Sequence, residues 1–297
     1  MKKRGFKKSF GARGKKGPRD FGMKYKSDKP RFAKPAQGMR RPDIRSEMTP
    51  AVSRKLKAMK LVKALANKKD REDKKLFIVE GEKSFLEALD SAYQLHTVFA
   101  THAFLEEYPE IEGSFKEKLL IVDEPELATL GTLAANRGVI GIFHMMGPTQ
   151  FKIGNGITIA LSGVSDPGNL GTIIRIADWY GIRTIVASRD TVDCWNPKVV
   201  GATKGSFTRV QVVYRDLEGF FRDHQSIPVI AADMRGQNAH TMEFPKTGIL
   251  LLGSESHGID PDLNDYITAR ITIPRYGGAE SLNVAIAGAV ILDNWFR

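Results

Sequence analysis

The feature that most constrains the fold is a series of short, almost uninterrupted apolar runs separated by helix-like segments. In the C-terminal half the sequence predicts strands at residues 157–161, 184–187, 210–213, 229–232, 249–252 and 271–273. Strands that are apolar on both faces are typical of a parallel sheet, because helices cover such a sheet on both sides. The sequence therefore predicts an α/β domain with a parallel sheet over residues 152–297.

A second, smaller α/β domain is predicted over residues 51–147. Helical spacing begins near Ser53, and short apolar runs at 76–79, 98–100, 119–122 and 139–143 predict strands. Further helices are expected at 83–92 and 125–133, and Gly- and Pro-containing segments at 147–149 and 154–156 indicate a linker. Residues 1–50 are rich in Gly, Pro, Lys and Arg without apolar periodicity, which predicts a disordered basic tail.

The positive charge is concentrated at the N-terminal end. Residues 1–45 hold 17 Lys and Arg against 3 Asp and Glu, and residues 53–75 hold 10 against 3, whereas residues 76–297 carry a net charge of −9. This asymmetry predicts a polyanionic partner that is bound from the N-terminal side.

Composition also excludes several classes of protein. The single cysteine, Cys194, permits no internal disulfide and no Cys/His metal site, and we interpret it as a semi-buried neutral thiol. We expect no metal and no membrane span, and the N-terminus lacks the apolar segment of a secretory signal. We therefore expect a cytoplasmic location. A nucleotide-binding oxidoreductase is disfavoured because no G-x-G-x-x-G sequence follows the first strand of the second domain.

The first of three polar motifs follows the strand at 157–161. Asp166-Pro167-Gly168-Asn169 is a turn sequence, and Arg175 lies six residues beyond Asn169 in the predicted helix 170–180. In open α/β sheets ligands bind at the carboxyl ends of strands, so the amide and the guanidinium can face one cleft if the helix starts near Leu170. The alternative is that Asn169 only caps the helix and Arg175 makes a surface ion pair.

The other two motifs follow later strands. Residues 253–258 read Gly-Ser-Glu-Ser-His-Gly directly after an apolar strand, where glycine permits close backbone approach to a ligand. Residues 273–284 form a strand end, a Gly-containing loop and then Ser281-Leu282-Asn283, which opens an apolar helix predicted at 282–296. Amides at a helix start, with Ser and Asn side chains, form a polar rim on an apolar pocket.

In order and spacing these three motifs resemble the signatures of the SpoU/TrmH family of RNA ribose 2′-O-methyltransferases, within the SPOUT superfamily. The resemblance spans roughly residues 53–297. It implies that residues 51–147 bind the RNA substrate and that residues 152–297 form the catalytic SPOUT domain with a C-terminal trefoil knot. It also implies S-adenosylmethionine as the cofactor and a homodimer with its sites at the subunit interface.

The resemblance also implies roles for particular residues. The catalytic set is Arg175, Asn169, Glu255, Ser281 and Asn283. The cofactor-binding set is Gly253, Ser254, Gly258, Ile273, Leu282 and Asn283. Basic side chains expected on RNA are Arg54, Lys55, Lys57, Lys60 and Lys198. Two positions depart from the family pattern: Ser256 stands where a smaller residue is usual, and Arg275 stands where Met is common.

The predicted activity is therefore methylation of a ribose 2′-hydroxyl in structured RNA, with ribosomal RNA favoured by the basic tail and the extra α/β domain. Transfer RNA is the alternative substrate. A noncatalytic RNA-binding factor for ribosome assembly is the alternative class, and the intact set of polar residues in the motifs argues against it.

Overall fold

The computed structural model describes residues 49–132, 138–146, 153 and 156–297. The chain divides into two units, 1–47 and 48–297, and only the second contains described residues. The tail predicted at 1–50 thus lies outside the described residues up to residue 48, as do the predicted linker residues 147–149, 154 and 155.

The first sheet has four strands in the order β1-β4-β2-β3. Strand β4 is antiparallel to both of its neighbours, and β2 and β3 are parallel. Its strands are β1 Leu76–Glu80, β2 Leu95–Ala100, β3 Leu119–Ile121 and β4 Val139–His144. Its helices are α1 Pro50–Ala64, α2 Lys68–Lys74, α3 Glu82–Leu89, α4 His102–Glu107, α5 Pro109–Phe115 and α6 Glu124–Leu130.

Helix α1 begins three residues earlier than the sequence predicts. Thr49 precedes the helix, and its hydroxyl accepts a hydrogen bond from the Val52 amide at 3.4 Å. Pro50 occupies the first helical position, where its missing N–H costs nothing. The short helices α4 and α5 were not predicted, because six or seven residues give too little periodicity to detect.

The second sheet has six strands in the order β10-β8-β9-β5-β6-β7, and every adjacent pair is parallel. The predicted parallel α/β fold is thereby confirmed. Its strands are β5 Ile157–Ser162, β6 Thr184–Ala187, β7 Gln211–Tyr214, β8 Val229–Asn238, β9 Gly248–Gly253 and β10 Ala269–Thr272. The trefoil knot stays a prediction.

Helices cover both faces of this sheet. Helices α7 Pro167–Trp179 and α10 Val284–Trp295 pack against one face, where Ile159 and Leu161 of β5 point, and helix α9 Leu217–Asp223 packs on the other. Helix α8 Pro197–Thr203 contacts α7 and β1. Among the described helices, none is both long and apolar enough to span a bilayer.

Aromatic rings join the two sheets. Phe77 of β1 lies 4.4 Å from the Trp195 ring and 5.9 Å from the Phe207 ring, measured between centroids, and Tyr93 contacts the same two rings. Phe77 and Tyr93 belong to the first sheet and its connections, whereas Trp195 and Phe207 lie between β6 and β7. The hydrophobic core is therefore continuous from one sheet to the other.

Charged groups also connect the two parts. Arg71 of α2 is buried; its Nε and Nη2 donate to Asp193 Oδ2 at 3.1 and 2.6 Å, and Nη1 donates to two backbone carbonyls at 2.9 Å. Arg209 forms ion pairs with Glu87 of α3 and Asp178 of α7. Both clusters fix the first sheet against the second.

Cys194 lies beside this junction and is 8% exposed. Burial, followed by the neighbouring Asp193 carboxylate, raises the pKa of the Cys194 thiol to about 12. The thiol is therefore neutral at physiological pH, as the sequence predicts.

Candidate active site

The three motifs lie at the carboxyl ends of strands in the parallel sheet. Strands β5 and β9 are central neighbours, and their last residues, Ser162 and Gly253, pair in register. The first motif follows β5, the second follows β9, and the third follows β10 two strands from β9. Carboxyl ends of parallel strands form the ligand-binding edge of such sheets.

Asp166, and not Asn169, caps helix α7. The Asp166 Oδ1 atom accepts a hydrogen bond from the Asn169 amide at 2.8 Å, and Pro167 takes the first helical position. Helix α7 therefore begins at Pro167, three residues before the predicted start. Capping by Asp166 leaves the Asn169 side chain able to make contacts outside its own helix.

One asparagine connects all three motifs. Asn169 Nδ2 donates a hydrogen bond to Glu255 Oε1 in the second motif. Asn283 Nδ2, in the third motif, donates to Asn169 Oδ1 at 2.8 Å. Three of the five predicted catalytic residues thus form a single hydrogen-bonded chain, which we call the amide–carboxylate network.

The second motif is a tight loop that only glycine can close at residue 253. The Ser254 amide donates to the Gly258 carbonyl at 2.9 Å, and the Gly258 amide donates back at 3.0 Å. A Cβ atom on Gly253 would lie 2.3 Å from the Gly258 carbonyl carbon. The amides of the predicted cofactor residues Ser254 and Gly258 are therefore used within the loop. The Asp260 amide ties the loop to Ser162 Oγ at 3.1 Å.

The third motif ends in a residue with two roles. Asn283 Oδ1 caps helix α10 by accepting from the Ala285 and Ile286 amides at 3.0 and 3.3 Å, while its Nδ2 belongs to the network. Leu282, next to it, is 50% exposed, and Ile273 is partly buried against the core. An exposed apolar side chain thus lies directly beside the polar network, and the pocket rim at these residues stays a prediction.

Helices α7 and α10 pack side by side, and both begin at the network. Their N-terminal ends meet at the Asn169–Asn283 hydrogen bond, and their C-terminal ends meet at the Tyr180–Phe296 ring contact, with centroids 5.0 Å apart. Large apolar side chains stay exposed along this helix pair. They are Trp179 (84% exposed), Leu282, Ile286 and Phe296.

Among the described side chains, Arg175 and Ser281 make no hydrogen bond to the network. Arg175 is exposed on α7, and within the described part of the chain it makes neither a hydrogen bond nor an ion pair. Six residues of α-helix turn its side chain about 120° from that of Asn169. It shares the exposed face of α7 with Trp179, four residues further on. Ser281 is exposed and, among the described side chains, without a hydrogen-bond partner.

The predicted RNA-binding lysines and arginine are distributed over two helices. Lys57 and Lys60 are exposed on α1, and Lys198 is exposed in the first turn of α8. Arg54 donates to the Glu117 carbonyl, and Lys55 is paired with Glu126 at 2.7 Å, so Lys55 is the least available of the five.

Sequence reasoning missed two groups of residues around the site. The capping role of Asp166 had a detectable signal, because Asp followed by Pro is a common helix start. The Arg71–Asp193 pair left no detectable signal in the sequence, because its two residues are 122 positions apart. At Arg275, which departs from the family pattern, Nη1 donates to the Ala279 carbonyl at 3.2 Å within its own loop. Among the described residues no three His, Cys, Asp or Glu side chains are grouped to hold a metal.

The fold and the site define a parallel α/β domain with a ligand-binding site at the carboxyl ends of its strands. A second α/β domain precedes it in the sequence. The SpoU rRNA methylase family matches residues 156–293, and the MRM3-like substrate binding domain matches residues 57–141. The structure resembles a protein from Porphyromonas gingivalis described as an RNA methyltransferase of the TrmH family. That protein is 34% identical, with a TM-score of 0.70, and the match covers 80% of this chain and 96% of the other.

The chain therefore belongs to the SpoU/TrmH family of RNA methyltransferases. It is also similar to an AdoMet-bound rRNA methyltransferase from Sinorhizobium meliloti, at 29% identity and a TM-score of 0.71, over 80% of this chain and 93% of that one. Among curated relatives, the 23S rRNA (guanosine(2553)-2′-O)-methyltransferase RlmP of Bacillus subtilis (strain 168) is 28% identical over 235 residues. This alignment covers 77% of this chain and 92% of RlmP.

Proposed function

We propose that the protein transfers a methyl group from S-adenosylmethionine to a ribose 2′-hydroxyl of ribosomal RNA. The observation that supports this most is the amide–carboxylate network, because it joins three separate family motifs at the ligand-binding edge of the sheet. RNA is required over DNA because only RNA carries the 2′-hydroxyl.

The residues at this edge suit the cofactor. Leu282 offers an exposed aliphatic surface beside the polar network, and Gly253 permits the tight loop from 254 to 258 at the end of β9. We assign the cofactor site to Gly253, Ser254, Gly258, Ile273, Leu282 and Asn283. When bound, S-adenosylmethionine supplies the methyl group as an electrophile on a sulfonium centre.

Arg175 is assigned to the ribose side of the reaction. A ribose hydroxyl is a poor nucleophile at neutral pH, so the enzyme must hold it in line with the methyl group and stabilise the developing alkoxide. A guanidinium group is a stabilising cation rather than a proton acceptor, and this is the role we assign to Arg175. The proton passes to water or to an RNA phosphate. Asn169, Glu255, Ser281 and Asn283 orient the reacting groups.

We further infer that the active form is a homodimer. Exposed apolar side chains concentrated on one helix pair indicate a protein–protein interface, and Arg175 lies on the same face of α7 as Trp179. Dimerisation through this face brings Arg175 into the interface.

Trp179→Glu tests the homodimer. A charge in place of the exposed indole should convert the dimer to a monomer in light scattering and lower methyl transfer. Met234→Glu is the control, because Met234 is 71% exposed on β8, outside the helix pair. A wild-type protein that is already monomeric at micromolar concentration would contradict the inference.

The proposed function is tested by mapping ribose methylation in RNA from cells with and without the gene, using mass spectrometry. Loss of one 2′-O-methyl group in ribosomal RNA, restored by the wild-type gene and not by Asn169→Ala, is the expected result. Loss confined to transfer RNA would reassign the substrate. Unchanged methylation together with no S-adenosylmethionine binding by calorimetry would identify a noncatalytic RNA-binding factor. The cytoplasmic location stays a prediction.

A further inference from the structure

A groove of about 530 Å³ lies between helix α1 and the side of the first sheet formed by β2 and β3. Its volume falls within the range of small-ligand sites. Leu61 and Leu120 provide apolar lining, and His96 of β2 lies among them. Arg54 and Lys57 of α1 line the same groove and make it basic. This groove is separate from the amide–carboxylate network, whose residues lie on α7, in the loop after β9 and at the start of α10.

Charge identifies the class of occupant. Helix α1 contains five basic residues and no acidic one. Lys55 is neutralised by Glu126, whereas Lys57 is exposed and, within the described part of the chain, has no ion-pair partner. A polyanion therefore fits the groove. The N-terminal tail of the same chain does not, because residues 1–45 carry a net charge of +14.

His96 gives the groove an aromatic face. Its ring is half-buried, Nδ1 lies 2.8 Å from Thr97 Oγ1, and the His144 ring is 5.4 Å away between centroids. Burial, followed by the nearby His144 and Lys118, lowers the pKa of His96. The imidazole is therefore neutral at pH 7, and a neutral aromatic face is suited to stacking against a nucleobase.

We propose that this groove binds one unpaired nucleotide of the RNA substrate, with the base against His96 and the two leucines, and the flanking phosphates beside Arg54 and Lys57. The proposal rests on the proposed function only in taking RNA as the substrate. A base inside a duplex is stacked on both faces and cannot enter, so the site selects single-stranded RNA.

The first test measures binding of the full chain to a fluorescent oligouridylate of about eight nucleotides in about 0.2 M salt, where nonspecific binding by the tail is weakened. His96→Ala should raise the Kd about tenfold, and His96→Phe, which keeps a ring, should restore it to within about threefold. Lys57→Ala should reduce the steepness with which log Kd depends on log salt concentration by about one. Lys63→Ala is the matched control on the same helix and should leave the Kd within about twofold. Equal Kd values for His96→Ala and the wild type would overturn the proposal.

The second test locates the RNA directly. An oligouridylate containing 4-thiouridine should cross-link to peptides carrying His96 or Lys57, and excess duplex RNA should not suppress these cross-links. Cross-links confined to residues 1–48, or groove cross-links lost equally to duplex RNA or polyglutamate, would overturn the proposal. Groove cross-links without methyl transfer would instead refute the proposed function alone, so the two failures are distinguishable.

Discussion

Asn169 holds the site together because its amide donates and accepts at the same time. Substitutions at both partners of its hydrogen bond with Glu255 test the network. Asn169→Asp places two carboxylates against each other at an exposed contact and should lower the free energy of unfolding by about 1 kcal/mol or less, with loss of methyl transfer. Adding Glu255→Gln restores a donor–acceptor pair.

Thermal denaturation of the two single variants and the double variant measures the coupling. The double variant should recover at least half of the stability lost by Asn169→Asp. Simple additivity of the two single effects would show that the contact contributes nothing.

Arg175 is predicted to act on the reaction and not on cofactor binding. Arg175→Ala should reduce single-turnover methyl transfer roughly 100-fold, because a preorganised cation at the developing alkoxide is lost. The Kd for S-adenosylmethionine by calorimetry should stay within about twofold. Arg222→Ala, which removes an exposed arginine from α9, is the control. Near-normal turnover by Arg175→Ala would reject the role.

At the residue scale, the sequence placed Asn169, Glu255 and Asn283 in motifs that follow apolar strands, and the family resemblance implied their catalytic roles, which stay predictions. It could not predict which of them would touch. The surroundings of Arg175 could not be predicted either, because they depend on the register of a helix that starts at Pro167 and not at Leu170.

At the element scale, glycine sets the distance between α7 and α8. A Cβ on Gly171 would lie 2.4 Å from Ala202 Cβ and 2.9 Å from the Val199 carbonyl oxygen. Gly171→Val should therefore separate the helices and lower the free energy of unfolding by about 1–3 kcal/mol. Gly113→Ala in α5 is the matched control, since its Cβ meets nothing within 4 Å, and it should be neutral or stabilise by up to about 1 kcal/mol in chemical denaturation.

The elements themselves were predictable in proportion to their length and apolar pattern. All six strands of the second sheet were expected from near-continuous apolar runs, and α10 was expected to within two residues at each end. Helix α8 was missed: it has seven residues and starts from Asn196, whose side chain caps it by accepting from the Lys198 amide at 3.0 Å.

At the scale of the whole molecule, the buried Arg71–Asp193 pair fixes the first sheet against the second. Arg71→Ala leaves Asp193 without its partner and should cost about 3–5 kcal/mol of unfolding free energy in urea. Lys68→Ala on the same helix removes only an exposed pair and should cost less than about 1 kcal/mol. Similar losses for both variants would show that the buried pair is no stronger than a surface one.

The rings shared between the two sheets limit how this protein can be re-engineered. Two rings from the first domain, Phe77 and Tyr93, pack against two rings from the second, Trp195 and Phe207. A chimera that joins the first-sheet domain of a relative to the second-sheet domain of this chain must carry compatible rings where the two domains meet. Divergence in RNA choice is therefore expected to spare these four positions while it alters the helix surfaces around them.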